Sequence, residues 1–72
     1  MEDYKIRFIN EYKELKIKTE NLRYLLTDYA AGTLNFTPTC SYELLKTQYY
    51  IMCSYLVILE ERARLEKVDL DV

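Results

Sequence analysis

From Tyr4 to Ala31 the apolar positions recur in alternating steps of four and three. Phe8, Leu15, Leu22 and Tyr29 fall every seventh residue, with Tyr12, Thr19 and Leu26 between them. That is the stripe an amphipathic helix turns toward a partner helix. Asp3–Arg7 and Glu14–Lys18 are acid-first pairs at i,i+4, each worth a few tenths of a kcal/mol. Glu2 and Asp3 put negative charge at the positive end of the helix dipole. Gly32 follows the last periodic residues and suits a left-handed stop. The pattern predicts a first helix over residues 3–31.

After an elbow over residues 32–39, which holds Gly32 and Pro38, a second breaker-free stretch begins. Thr37 ahead of proline, or else Thr39, offers a hydroxyl cap for a second helix over residues 40–67. Its main row is Tyr42, Leu45, Tyr49, Met52, Leu56, Leu59 and Ala63. A second row, Leu44, Ile51, Ile58 and Leu65, repeats every seventh residue with Tyr55 between its members. The rows lie about 100° apart around the axis, so one partner helix covers only one of them. From Tyr49 to Leu59 the helix is apolar nearly all round, the mark of a segment buried on every side. The expected fold is all-α: a two-helix antiparallel hairpin over residues 1–67 that assembles into a homo-oligomeric helical bundle. Its expected interface is Leu44, Ile51, Tyr55, Ile58 and Leu65. Residues 68–72, Val-Asp-Leu-Asp-Val, read as a frayed acidic tail.

Composition narrows the chemistry. The chain has 72 residues, with no histidine, no tryptophan and two cysteines. A core this small rarely supplies more than about 3–5 kcal/mol, so self-association is the expected support. Without histidine there is no His-activated nucleophile and no ordinary zinc site. Cys40 and Cys53, placed on one helix, would stand roughly 20 Å apart and remain unpaired thiols, as in a reducing cytoplasm. The eleven residues from Tyr49 to Leu59 are the most apolar run, well short of the ~20 that span a bilayer. Met1-Glu-Asp-Tyr opens acidic, unlike a secretory signal. A cytoplasmic protein without membrane or cofactor partners is expected.

The net charge is −2, which argues against a dedicated DNA- or RNA-binding protein. The charge is uneven, however. Residues 4–27 hold Lys5, Arg7, Lys13, Lys16, Lys18 and Arg23 against three glutamates, whereas the chain from Glu60 onward holds five acids and three bases. A local positive patch suits a small anionic ligand. Tyrosine is the compositional outlier, with eight copies. Tyr12, Tyr29, Tyr42 and Tyr49 fall on core rows. Tyr24 and Tyr50 fall outside them, and each offers a flat face and a hydroxyl to a nucleobase. At the elbow Thr37, Thr39 and Ser41 stand near a helix N-terminus with Lys46 within about two turns, where orphan N–H groups favour an anion. The candidate ligand-binding set is therefore Arg23, Tyr24, Thr37, Thr39, Ser41, Lys46 and Tyr50. Glu60 and Glu61, being adjacent, point to different sides of their helix, and no acid–base pair suggests an enzyme.

The string Glu43-Leu-Leu-Lys-Thr-Gln48, then Met52, Tyr55-Leu56, Ile58-Leu59 and Arg62, follows Phe8, Glu11-Tyr-Lys-Glu-Leu15, Leu22 and Leu25-Leu26. Together these resemble the short helical-hairpin proteins of crAss-like phages over most of residues 4–66. More distantly they resemble the hairpin domain of phage anti-CBASS and anti-Thoeris sponges. Those proteins form oligomers that bind cyclic nucleotide immune signals without cleaving them. The resemblance implies a phage or prophage origin and nucleotide sequestration, and a bundle of hairpins joined through the second helix would bring elbows and basic first-helix faces of neighbouring copies together. This chain departs from the sponge pattern in having two helices and no glycine-rich ligand loop. The alternative is a small protein-binding inhibitor or adaptor whose row Leu44, Ile51, Ile58, Leu65 enters a groove of a host or phage protein.

Overall fold

A computed structural model describes residues 2–71. The chain forms α1 (Glu2–Ala31) and α2 (Tyr42–Glu66), packed against each other as an antiparallel hairpin. Among the described residues there is no strand. The molecule measures 46 × 18 × 17 Å, close to the ~45 Å that thirty helical residues span. Its radius of gyration is 15.1 Å, against about 11 Å for a globular domain of this length. A rod one helix pair thick has no interior layer, and only the seam between the helices is shielded.

The first helix closes as its glycine suggests. Gly32 adopts φ +75°, its N–H donates to the Tyr29 carbonyl at 3.2 Å, and the Thr33 N–H donates to the Asp28 carbonyl at 2.9 Å. These two bonds are a Schellman closure, which satisfies carbonyls the helix end would otherwise orphan. The second helix starts later than its hydroxyls suggested. Neither Thr37 nor Thr39 caps it. Ser41, extended at φ −68° and ψ 157°, accepts the Leu44 N–H at 3.1 Å. Cys40 therefore precedes the helix, and both cysteines are free thiols.

The core lies toward the terminal end of the hairpin. Phe8, Tyr12, Leu59, Ala63 and Val68 form one buried cluster, with Ile9, Leu15, Leu56 and Leu70 packed against it. Val68 corrects the expectation of a frayed tail. Lys67 turns left-handed at φ 59°, and the Val68 N–H donates to the Ala63 carbonyl at 2.8 Å. That closure folds Val68 back onto Phe8 and Leu59, as the apolar residue after a Schellman cap commonly does. Thr19, also buried, satisfies its hydroxyl on the Leu15 carbonyl at 2.7 Å.

Tyrosines also tie the helices together through carboxylates. The Tyr12 hydroxyl donates to Glu60 at 2.7 Å, Tyr4 donates to Glu66 at 2.8 Å, and Tyr55 donates to Glu11. Arg62 donates to the Tyr4 hydroxyl at 2.9 Å and stands over the Phe8 ring. Burial, helped by the Glu60 carboxylate, pushes the Tyr12 phenol up to about 12 from its ordinary 10. A raised value means that the folded chain prefers the neutral hydroxyl. Its contribution is complete below pH 10 and is lost as pH rises through 12. Tyr12→Phe should cost about 1 kcal/mol at pH 7. Urea unfolding between pH 10 and 12 should show the wild-type stability falling to that of the variant and then below it, because ionising the buried phenol costs the folded chain about 1.4 kcal/mol per unit of pKa shift. A constant gap across that range would exclude the hydroxyl as its source.

The second apolar row of α2 is left uncovered. Leu44, Ile51, Ile58 and Leu65 are each more than half exposed, and Tyr55 is 39% exposed. No helix among the described residues is long and apolar enough to cross a membrane.

Candidate functional site

Toward the elbow the seam opens into a cleft of about 550 Å³. The cause is a size mismatch between the facing helices. On α1 the wall is built from Leu26, Thr27, Ala30 and Ala31, mostly small side chains, whereas α2 contributes Tyr42, Tyr49 and Tyr50. Small residues on one side leave the rings of the other without a complete partner. Tyr42 is steadied by Tyr29, ring centroids 5.5 Å apart and edge to face, an arrangement that aromatic quadrupoles favour. Tyr49 leans on Tyr50 at 5.9 Å.

Two cations reach this space, Arg23 from α1 and Lys46 from α2, and no acidic residue lines it. The Arg23 guanidinium lies 4.8 Å from the Tyr24 ring. The Lys46 ammonium lies 5.7 Å from the Tyr42 ring and 5.8 Å from the Tyr50 ring. Ring faces hold such cations by about 0.5–1 kcal/mol at exposed sites without neutralising them. Among the described residues neither cleft cation enters an ion pair with a carboxylate; the Arg62–Glu66 and Arg64–Glu61 pairs lie outside the cleft. The Tyr49 phenol is raised above its ordinary value by its hydrogen bond to Cys53 and by burial, while Arg23 pulls it the other way. It therefore stays a neutral hydroxyl beside a cation. The Thr27 hydroxyl is occupied by the Arg23 carbonyl at 2.9 Å.

The structure brings Arg23, Lys46 and Tyr50 into this one cleft and puts Tyr24 at its rim beside Arg23. It does not bring the elbow hydroxyls to them. Thr37 lines a separate hollow of about 230 Å³ with Tyr29, Leu34, Phe36 and Pro38. Ser41 has its oxygen committed to the Leu44 N–H, and Thr39 lines neither space. Tyr42 and Tyr49, assigned from spacing to the core row, line the cleft instead, together with Thr27, Ala30 and Ala31. A sequence signal for this existed in the Ala30-Ala31 pair, two small residues in the last turn of a helix facing tyrosines. Chemically the arrangement is a shallow aromatic wall under two fixed positive charges. It can hold phosphates and stack a ring, and it offers no general base.

The family model described as Sequestin matches residues 2–65. No curated protein and no solved structure matches the chain.

Proposed function

The chain belongs to the Sequestin family, a membership that suggests a sequestering protein, and from it we propose a non-enzymatic phage anti-defence role. On this reading the chain self-associates through the exposed row of α2 and removes a cyclic nucleotide immune signal from the host cytoplasm. The observation that carries the ligand class is the cleft itself: two unmatched cations and three tyrosines around an acid-free space of about 550 Å³. That volume falls within the range of about 300–1,000 Å³ typical of small-molecule sites. Arg23 offers a planar fork that grips a phosphate through two parallel bonds, and Lys46 adds a point charge. Tyr50 and Tyr49 present faces for a base, an interaction worth about 1–3 kcal/mol per ring. Sequestration works by mass action, so affinity and abundance set its effect and turnover does not.

The test is isothermal titration against a panel of cyclic dinucleotides, cyclic trinucleotides and cyclic ADP-ribose isomers. One member is expected to bind at one site per chain with a Kd below about 1 µM. Heating the complex should release that ligand with its mass unchanged. No heat from any member at micromolar protein would overturn the reading, and a released ligand of altered mass would overturn its non-enzymatic part.

A further inference from the structure

The molecule carries more surface than its mass requires. It exposes 5490 Å², whereas a compact monomer of 8.7 kDa would expose about 4,700 Å². The excess is close to the ~800 Å² that one partner loses in an interface of standard size. Much of the apolar share lies along one side of α2, where Leu44, Ile51, Ile58 and Leu65 are 58%, 64%, 54% and 66% exposed. These four positions read the same in both directions. Leu, Ile, Ile and Leu stand at equal spacings of seven about a midpoint between Ser54 and Tyr55. A twofold axis through that midpoint lays the row on a copy of itself, with Leu44 on Leu65 and Ile51 on Ile58, the self-complementary pattern of an isologous interface.

The flanks of the row distinguish the two orientations. In antiparallel order Arg62 stands level with Thr47 of the second copy, and Glu61 stands level with its Gln48. In parallel order Arg62 would meet Arg62 and Glu61 would meet Glu61, and like charges placed together cost stability. At the crossing point lies Ser54, which is small and whose hydroxyl is already satisfied by the Tyr50 carbonyl at 3.1 Å. It lets the two backbones approach without stranding a polar group.

We propose that the chain pairs with a second copy of itself through α2, antiparallel and about this twofold, so that the two clefts face outward on opposite sides of the dimer. Tyr42, Lys46 and Tyr49 point to the far side of α2, about 130–170° around the axis from the row. Each cleft is thus complete within one chain, in contrast to a bundle whose copies converge on a shared site. The pairing deepens the self-association in the proposed function and does not depend on what the cleft binds. Its failure would leave the ligand titration to stand or fall by itself.

Sedimentation equilibrium between about 5 and 200 µM should give twice the chain mass. Ile51→Glu combined with Ile58→Glu should return the single mass with unchanged helical circular dichroism, since both positions are exposed in the monomer. In a Cys40→Ser, Cys53→Ser background, Ser54→Cys should oxidise to a covalent dimer. Leu44→Cys should cross-link to a Leu65→Cys chain but not to itself, because its two copies stand about 30 Å apart in the antiparallel pair. A single mass at 200 µM would overturn the proposal and return the row to a groove on a different protein. A mass above two chains, or self-cross-linking of Leu44→Cys, would overturn it equally.

Discussion

Leu59→Ala is expected to unfold the chain at 25 °C. Among the described residues Leu59 is the one large side chain with no exposed surface, and it shares the buried cluster with Phe8, Tyr12, Ala63 and Val68. Removing a buried leucine to the β-carbon costs about 2–5 kcal/mol through lost transfer energy and the cavity left behind. A two-helix rod cannot collapse far to fill that cavity, because its neighbours are held by the tyrosine–carboxylate bonds that bracket the cluster. The whole stability of a chain this short is about 3–5 kcal/mol, so the loss is comparable to the total. Circular dichroism at 222 nm should fall to a small fraction of the wild-type value. Val57→Ala is the matched control: two residues away and 62% exposed, it should keep the helical signal. A cooperative urea transition within 1 kcal/mol of wild type for Leu59→Ala would show that the core is not centred there.

The heptad rows made the hairpin legible, since a row that alternates in steps of three and four has one burial solution. They also showed that α2 carries a row no α1 could cover, and Leu44, Ile51, Ile58 and Leu65 are exposed in the hairpin. The start of α2 was not legible. Thr37, Thr39 and Ser41 all carry capping hydroxyls, and the choice of Ser41 depends on where the elbow delivers the chain to the seam. Val68 was missed because its closure turns on Lys67 in a left-handed conformation, which a glycine would have signalled and a lysine does not. The cleft is harder still to read, because its walls come from two helices. Arg23 and Lys46 are 23 positions apart in the sequence and reach one cleft only in the hairpin register that sets Tyr29 against Tyr42. Which tyrosines tie the helices together and which line the cleft likewise follows from register: Tyr4, Tyr12 and Tyr55 find carboxylates across the seam, whereas Tyr42, Tyr49 and Tyr50 face small residues and cations.

Reversing the charge at Arg23 or Lys46 is expected to abolish ligand binding and leave the fold intact. A charge-assisted bond to a phosphate is worth about 1.5–3 kcal/mol, and every 1.4 kcal/mol is tenfold in affinity. Glutamate adds repulsion to that loss, so Arg23→Glu and Lys46→Glu should each weaken binding at least 100-fold in the titration that detects wild-type binding. Arg23→Lys should fall between, because it keeps the charge and loses the planar fork. Tyr50→Ala removes a ring and no charge; about 1–3 kcal/mol of stacking predicts a 5- to 100-fold loss. The fold should tolerate all four, since Arg23 and Tyr50 are exposed, Lys46 is half-buried, and neither cation has a carboxylate partner among the described residues. Lys18→Glu makes the same charge change on α1 outside the cleft. If the cleft binds the ligand through local contacts, Lys18→Glu should alter Kd less than threefold. If long-range attraction to the basic half of α1 is the source, Lys18→Glu and Arg23→Glu should weaken binding alike, and raised salt should erase both effects. Full affinity in Arg23→Glu and Lys46→Glu would remove the cleft as the site altogether.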